Sequence, residues 1–259
     1  MPIHPTAIIS PKAELAEDVT VEAFSIIGPD IVIGSGTIVG HHNVIEGDTT
    51  IGENNQIFPF VSIGLAPQDL TYKGENTKVS IGNNNIIREY VTVHRGTSRG
   101  KGVTRVGDSV FLMAYAHVAH DCQIGNGVLM ANAATLGGHV EVGQCAVLGG
   151  IAAVHQFVRI GEFSCVGGLT GVRMDIPPYM LATGALGAKL YGANLIGLKR
   201  HGFSAESIQA IKKCYKICFR SGLPMTDAIQ KVREEIDPLP EVEKFVEFIT
   251  CNSKRGLTR

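Results

Sequence analysis

The chain has 259 residues, enough for one large domain or two ordinary ones, and its net charge of −1 gives no global attraction to nucleic acid or to an anionic membrane surface. Six cysteines without CxxC or zinc-like spacing, an opening MPIHPTAIIS with neither a basic start nor a long apolar run, and no stretch near ~20 apolar residues together predict a protein of the reducing cytoplasm with no integral membrane segment. The charge is uneven: residues 189–259 carry 13 Lys/Arg against 8 Asp/Glu, and residues 1–188 carry 10 against 16, so a basic C-terminal part is set beside an acidic remainder.

An aliphatic residue recurs at every sixth position, from Ile3, Ile9, Leu15 and Val21 through to Ile63, again from Ile81 to Val93, and again from Val106 to Val172. All 26 slots hold Ile, Leu, Val or Met, and Gly often follows, as in IGSGTI, IGENNQ and IGNGVL. A period of six fits neither a helix nor a simple alternating strand. It fits a short strand, a corner and another strand, so that three sides of 18 residues make one coil of a triangular prism whose slots point to the axis. Chain stretches near 66–79 and 96–104 break the period and are expected as loops thrown out from the prism, places where solenoids often carry function.

After Val172 the pattern stops at MDIPPYM, where a Pro pair disfavours regular pairing. From about residue 190 the chain is expected to be helical, with Ser204 as N-cap and Gly222 as stop of one helix, and two shorter helices over Asp227 to Ile236 and Pro240 to Ile249. The predicted organisation is a mainly β solenoid over 1–188 and a small C-terminal α-helical domain over 189–259.

With 18 residues per coil, Val118, Leu136 and Val154 lie on one side of successive coils, and Val93 precedes them on the same side. His94, His117, His120, His139 and His155 flank these slots, which puts five of the nine histidines along one ridge. An imidazole can take a proton from a hydroxyl at cellular pH. Asp121 directly follows His120; it either orients that imidazole or caps a corner turn. The pairs Gly137-Gly138 and Gly149-Gly150 either bring backbone N–H groups close to a substrate oxyanion or simply make good corners. Cys122 occupies an ordinary prism phase, which argues against a thiol nucleophile.

The blocks AHVAHDC, LGGHVEVG, GGIAAVHQF, DIPPYMLATG and GLKRHGFS resemble, in order and spacing, those of the acyl carrier protein:UDP-N-acetylglucosamine 3-O-acyltransferases, and the likeness runs over practically the whole chain. The resemblance implies a left-handed parallel β-helix, whereas ordinary parallel crossovers are right-handed. It implies a homotrimer with the site between subunits, an acyl donor on acyl carrier protein, UDP-N-acetylglucosamine as acceptor in the first step of lipid A synthesis, and no cofactor or metal. It matches His120 to the general base, Asp121 to its orienting partner and Gly138 to the oxyanion donor. Gln68 and Asp69 match residues beside the sugar, and His117, His139, His155 and Gln156 match sugar, acyl and phosphate contacts. Asn194 and Arg200 match residues around the nucleotide, and Gly168 the position that measures acyl length. The chain departs from the family pattern at Thr71, where a Lys is usual, and at His201, where a second Arg is usual.

Two other enzymes are weighed. A trimeric β-helix zinc carbonic anhydrase would use His117 and His139 but leave the PQDL loop and the tail without a role. A UDP-amino sugar N-acyltransferase usually carries an extra N-terminal uridine-binding domain, whereas the hexapeptides here begin at Ile3. A plain structural prism would need no column of histidines. The basic residues Lys199, Arg200, Lys212, Lys213, Lys216 and Arg220 are expected to steer the acidic acyl carrier protein.

Overall fold

The computed structural model describes residues 3–259; Met1 and Pro2, the start of the expected solenoid domain, lie outside the described residues. Among the described residues, short strands form three sheets of nine, eight and ten strands, and from Ile8 to Val172 the chain visits the three in strict rotation. On face 1, Ile8–Ile9 pairs with Ile26–Ile27; on face 2, Glu14 and Leu15 pair with Val32 and Ile33; on face 3, Thr20–Val21 pairs with Ile38–Val39. Every pair between successive coils up to Val172 is parallel, and the whole is the expected left-handed parallel β-helix. We number the edges as the chain meets them: the first lies between faces 1 and 2, the second between faces 2 and 3, and the third between face 3 and the next turn of face 1.

Every slot residue from Val21 to Val172 is buried, and Ile3, Ile9 and Leu15 at the open end are half-buried. The registers set slot on slot, with Ile27 on Ile45, Leu112 on Met130 and Val118 on Leu136. A two-residue strand has too few ladder bonds to persist alone, whereas each buried aliphatic side chain contributes roughly 1.5–3 kcal/mol, so the axial column is what holds the coils. Buried asparagines complete the corners. Val61 N–H donates to Asn43 Oδ1 at 2.7 Å, Asn85 N–H to Asn55 Oδ1 at 2.9 Å and Val110 N–H to Asn85 Oδ1 at 2.7 Å. Each side chain takes up a backbone donor that would otherwise be buried without a partner. Along the third edge Phe24, His42, Phe60, Tyr90 and Tyr115 hold the left-handed conformation, with φ between +59° and +65°. That conformation is unfavourable for side chains with a Cβ. Their rings stack at 4.8–5.2 Å, which offsets part of the strain.

Both predicted excursions leave the prism at the first edge. One spans residues 66–77, between the strands Ser62–Leu65 and Lys78–Ile81. The other spans 95–102 and is shorter than expected, because Val103 and Thr104 already pair with Lys78 and Val79. The two loops are tied together: Arg95 Nε donates to the Tyr72 hydroxyl at 2.9 Å and Ser98 Oγ to Glu75 at 3.0 Å.

The prism outlasts its sequence signature. Ile176 bridges to Ile160 on face 2, and Met180–Thr183 extends face 3 beside Cys165 and Val166. Pro177 and Pro178 are accommodated at a second-edge corner, where no ladder N–H is required. The segment expected to be helical from about 190 begins as a strand, Lys189–Ala193, antiparallel to Met180–Thr183. Four helices follow: α1 Leu195–Arg200, α2 Ala205–Arg220, α3 Met225–Glu235 and α4 Pro240–Thr250. α1 was not legible because it is short and contains Gly197. Ser204 caps α2 by accepting from Ser207 N–H, and Gly222 follows its end at φ +77°, both as expected. α3 begins at Met225 rather than Asp227, directly after Pro224, and ends at Glu235. α4 starts on Pro240, whose fixed φ and missing N–H suit a first helical turn. The helical segment is fastened to the prism at Lys244–Glu162, 3.0 Å, and by Arg159, which pairs with the fully buried Asp175 at 2.7 Å and donates to Phe248 O at 3.2 Å.

Asn55→Ala removes the acceptor for Asn85 N–H and the bond that Asn55 Nδ2 gives to Gly82 O at 3.0 Å. We expect it to lower stability by about 1–3 kcal/mol, read as an earlier urea midpoint with unchanged slope.

Candidate active site

The face-1 strand His117–Val118 is followed by a first-edge corner in which Asp121 takes φ +62°. One coil on, His139 takes the same place at φ +62°, and Phe157 repeats it at φ +65°. The corner backbones are linked, since His139 N–H donates to His120 O at 2.9 Å and Phe157 N–H to Gly138 O at 3.0 Å. The rings therefore stack as a column. His120 meets His139 edge-on at 4.9 Å, and His139 lies flat on Phe157 at 4.4 Å and 7°. The ammonium of Lys254, from the C-terminal segment, lies over the Phe157 ring at 4.3 Å.

Asp121 turns back on its own neighbour, with Oδ2 2.9 Å from His120 Nδ1. His139 Nδ1 lies 3.8 Å from the same oxygen. The Asp121 side chain is wholly buried beneath loop 95–102. Thr97 donates its N–H at 3.1–3.2 Å and its hydroxyl at 2.6 Å, and Gly102 N–H donates at 3.0 Å. Burial raises the Asp121 carboxyl, but the bonds from His120 and Thr97 outweigh it and leave the group below the usual carboxylate range. Asp121 is thus a fixed anion whose bond to His120 sets the tautomer with Nε2 free to accept.

A cavity of about 450 Å³ opens beside this pair. Its wall includes Gln68, His117, His120, Gly138, His155 and Gln156, six of the residues singled out from the sequence. Gly138 is required by space, because a Cβ there would overlap the His120 ring. Its carbonyl accepts from Phe157, and among the described residues its own N–H donates to no partner, so that donor is available to an oxyanion. His117 Nδ1 is 2.6 Å from the Thr92 hydroxyl, and its ring meets that of the buried His94 edge-on at 5.1 Å. Burial, then His94 and His120, push His117 down to about 4, so it is neutral near pH 7. Burial likewise lowers His139, and the Asp121 charge compensates only in part. Asp69, on loop 66–77, accepts from Thr71 N–H at 2.8 Å and from the Thr71 hydroxyl at 2.9 Å. Those two bonds hold it below the usual carboxylate range, so it is an acceptor rather than a proton donor. Thr71, where the family pattern has Lys, thereby has a local role.

The remaining expected residues sit elsewhere on the chain. Asn194 caps α1, accepting from Gly197 N–H at 3.2 Å and donating to Phe163 O at 2.9 Å, which places it by the second edge. Arg200 ends α1. Gly168 lies at a third-edge corner, where a Cβ would approach Gly150 O at 3.3 Å. Sequence reasoning missed Thr97, Phe157, Lys254 and Arg255. Arg255 Nε donates to Gln156 O at 2.8 Å, behind the cavity wall. Phe157 alone left a signal, because it stands 18 residues after His139.

Ligand-capable atoms of His120, Asp121 and His139 lie within 4.8 Å of one another, a spacing that a metal could use. The carboxylate oxygens, however, already accept from Thr97, Gly102 and His120, so the donor set is that of a hydrogen-bonded pair rather than a metal cradle. Cys122 is buried and its thiol is pushed up to about 12 by burial, which removes it as a nucleophile near neutrality.

A buried carboxylate behind an imidazole, beside a cavity whose wall includes the unpartnered Gly138 N–H, on the edge of a hexapeptide prism, is the arrangement of an acyltransferase. Residues 175–258 match the family model described as UDP N-acetylglucosamine O-acyltransferase, domain 2, and residues 104–138 the bacterial transferase hexapeptide. The acyl-[acyl-carrier-protein]--UDP-N-acetylglucosamine O-acyltransferase of Syntrophobacter fumaroxidans is 58% identical over 259 residues, covering 100% of both chains. That of Aquifex aeolicus is 63% identical, covering 100% of this chain and 98% of its own. Among solved structures, LpxA from Acinetobacter baumannii matches with a TM-score of 0.96 at 42% identity over 100% of each chain. The Francisella novicida UDP-N-acetylglucosamine acyltransferase matches at 0.95 and 39%, covering 99% of this chain and 94% of its own. The chain belongs to the UDP-N-acetylglucosamine O-acyltransferase family. Neither the zinc carbonic anhydrase nor the N-acyltransferase reading finds support in these relatives.

Two outcomes follow from burial. Iodoacetamide at pH 8 is expected to label the exposed Cys251 of the native protein and to spare Cys122, Cys214 and Cys218; mass spectrometry that found Cys122 labelled in folded protein would contradict the buried thiol. His117 falls to about 4 in the fold against 6.5 ordinarily, so the unfolded chain takes up the proton first and stability declines as pH falls from about 6.5 to about 4. His117→Gln should flatten that part of the stability curve, measured by urea unfolding at stepped pH.

Proposed function

We propose that this chain transfers a fatty acyl group from acyl carrier protein to the 3-hydroxyl of UDP-N-acetylglucosamine, the first step of lipid A synthesis. The observation that carries the reading is the His120–Asp121 pair, 2.9 Å apart, at the rim of a cavity that also holds Gly138. His120 Nε2 takes the proton of the sugar hydroxyl as its oxygen attacks the thioester carbonyl carbon. Asp121 steadies the resulting imidazolium, and Gly138 N–H receives the charge on the carbonyl oxygen. The tetrahedral intermediate then expels the thiol, the C–S bond breaks, and the sulfur recovers the proton from His120. The thioester supplies the driving force, so no cofactor enters, and no covalent enzyme intermediate is needed.

Gln68 and Asp69 flank the sugar, with Asp69 accepting from a hydroxyl. His117, His139, His155 and Gln156 contact sugar, acyl chain and phosphates. The neutral state of His117 suits it to accept from or donate to uncharged groups. Asn194, Arg200 and Gly168 belong to the nucleotide and to the end of the acyl chain. They stand away from the first edge of their own prism, and we infer that neighbouring subunits of a homotrimer supply them. A 3-hydroxyacyl chain is the proposed donor, and Gly168 leaves room for a long one. We assign residues 1–188 to the acyltransferase solenoid and 189–259 to a helical domain. Its basic residues Lys199, Arg200, Lys212, Lys213, Lys216 and Arg220 steer acyl carrier protein. Among the described residues no helix is long and apolar enough to cross a membrane, and we place the enzyme in the cytoplasm, where its free thiols stay reduced.

His120→Ala is expected to retain the fold and oligomeric state by circular dichroism and light scattering while losing at least about 10²-fold in kcat with acyl carrier protein thioester and UDP-N-acetylglucosamine. Activity above roughly 1% of wild type, a loss smaller than about 10²-fold, would overturn the assignment.

A further inference from the structure

Loop 95–102 breaks the hexapeptide period beside the reacting pair, and the mechanism above gives it no part. Its geometry is specific. It places three donors on one buried carboxylate: the N–H and hydroxyl of Thr97 and the N–H of Gly102, with the hydroxyl closest at 2.6 Å. The corner adds a bond in the other direction, Asp121 N–H to the Thr104 hydroxyl at 2.8 Å. Gly100 lies so close that a Cβ there would overlap the carboxylate. Thr97 does not line the cavity, and its own hydroxyl is spent on Asp121.

We propose that Thr97 is a positioning residue, whose hydroxyl both aims the Asp121 carboxylate at His120 Nδ1 and withdraws charge from it, so that the base keeps its tautomer without holding the proton too strongly. This rests on the assignment of His120 as base. A carboxylate bonded only to the imidazole would favour the imidazolium and delay return of the proton to the departing sulfur. The loop donors divide its charge, and the imidazole receives a share.

The chemistry fixes the sign of the effect. Removing the hydroxyl leaves more negative charge facing His120, so protonated enzyme persists to higher pH and the acid limb of the rate profile moves upward. The other groups around the pair are His94, His117 and His139 of the neighbouring coils, Asp69 of loop 66–77, Arg99 of loop 95–102 and Lys254 of the C-terminal segment. The substitution Thr97→Val alters none of them and preserves shape.

The test compares wild type, Thr97→Val and Thr97→Ser for kcat and for KM of each substrate across pH 5 to 9. We expect Thr97→Val to lose about tenfold or more in kcat with KM changed by less than about threefold, and to shift its acid limb to higher pH. Thr97→Ser should restore both. A Thr97→Val enzyme with wild-type kcat and pH profile overturns the proposal, as does a loss that Thr97→Ser shares in full. Should Thr97→Val fail to fold, Gly100→Ala displaces the same carboxylate, and wild-type kcat and pH profile in that variant are equally fatal. Failure of the underlying reading is separate, because it would already show as absent acyl transfer by the wild-type protein.

Discussion

The constraint on which the molecule depends is that every sixth side chain must enter one shared apolar column. Two-residue strands cannot hold themselves, so the column from Val21 to Val172 holds them, and the chain must turn at fixed intervals to keep feeding it. The turns then fall on three straight edges. Each corner position recurs one coil away, which turns a sequence interval into a distance. Aromatic rings become a stack along the third edge, and histidines become a column along the first.

The first edge is a working edge because both insertions leave there. A regular corner would expose Asp121 to water on one side, and an exposed carboxylate is only a weak partner for a neighbouring imidazole. Loop 95–102 closes over it and replaces water with three fixed donors, while Oδ2 also meets His120 at 2.9 Å. Loop 66–77 brings Gln68 to the cavity wall, and Thr71 keeps Asp69 ionised beside it. The two loops are bonded to each other through Arg95–Tyr72 and Ser98–Glu75, so they are positioned as one cover. The C-terminal segment adds Lys254 and Arg255 on the far side of Phe157 and Gln156.

Where periodicity was strong, the sequence was a reliable guide. The slots, the α2 cap at Ser204 and the alignment of Val93, Val118, Leu136 and Val154 are found as read, and both excursions are present, each ending earlier than expected. Where the pattern lapsed, the guide failed in a consistent direction. Ile176 and Met180–Thr183 continue the prism after the hexapeptides end, because backbone pairing needs only a compatible neighbour, not a repeated side chain. The strand Lys189–Ala193 was mistaken for the start of the helical part for the same reason: its order comes from the edge of face 3, which the sequence does not display.

What the sequence determined by itself was spacing: one column of aliphatics, three edges, and histidines that share one of them. Resemblance to a known family supplied the handedness and the names of the roles. Only the tertiary structure decided which way side chains face once they reach the edge. That Asp121 faces His120 depends on Thr97 and Gly102, some twenty residues earlier, and on a glycine at 100 that leaves room for the carboxylate. Those contacts join an aperiodic loop to a periodic corner. No interval in the sequence encodes such a meeting, because it is set by packing in three dimensions rather than by position along the chain.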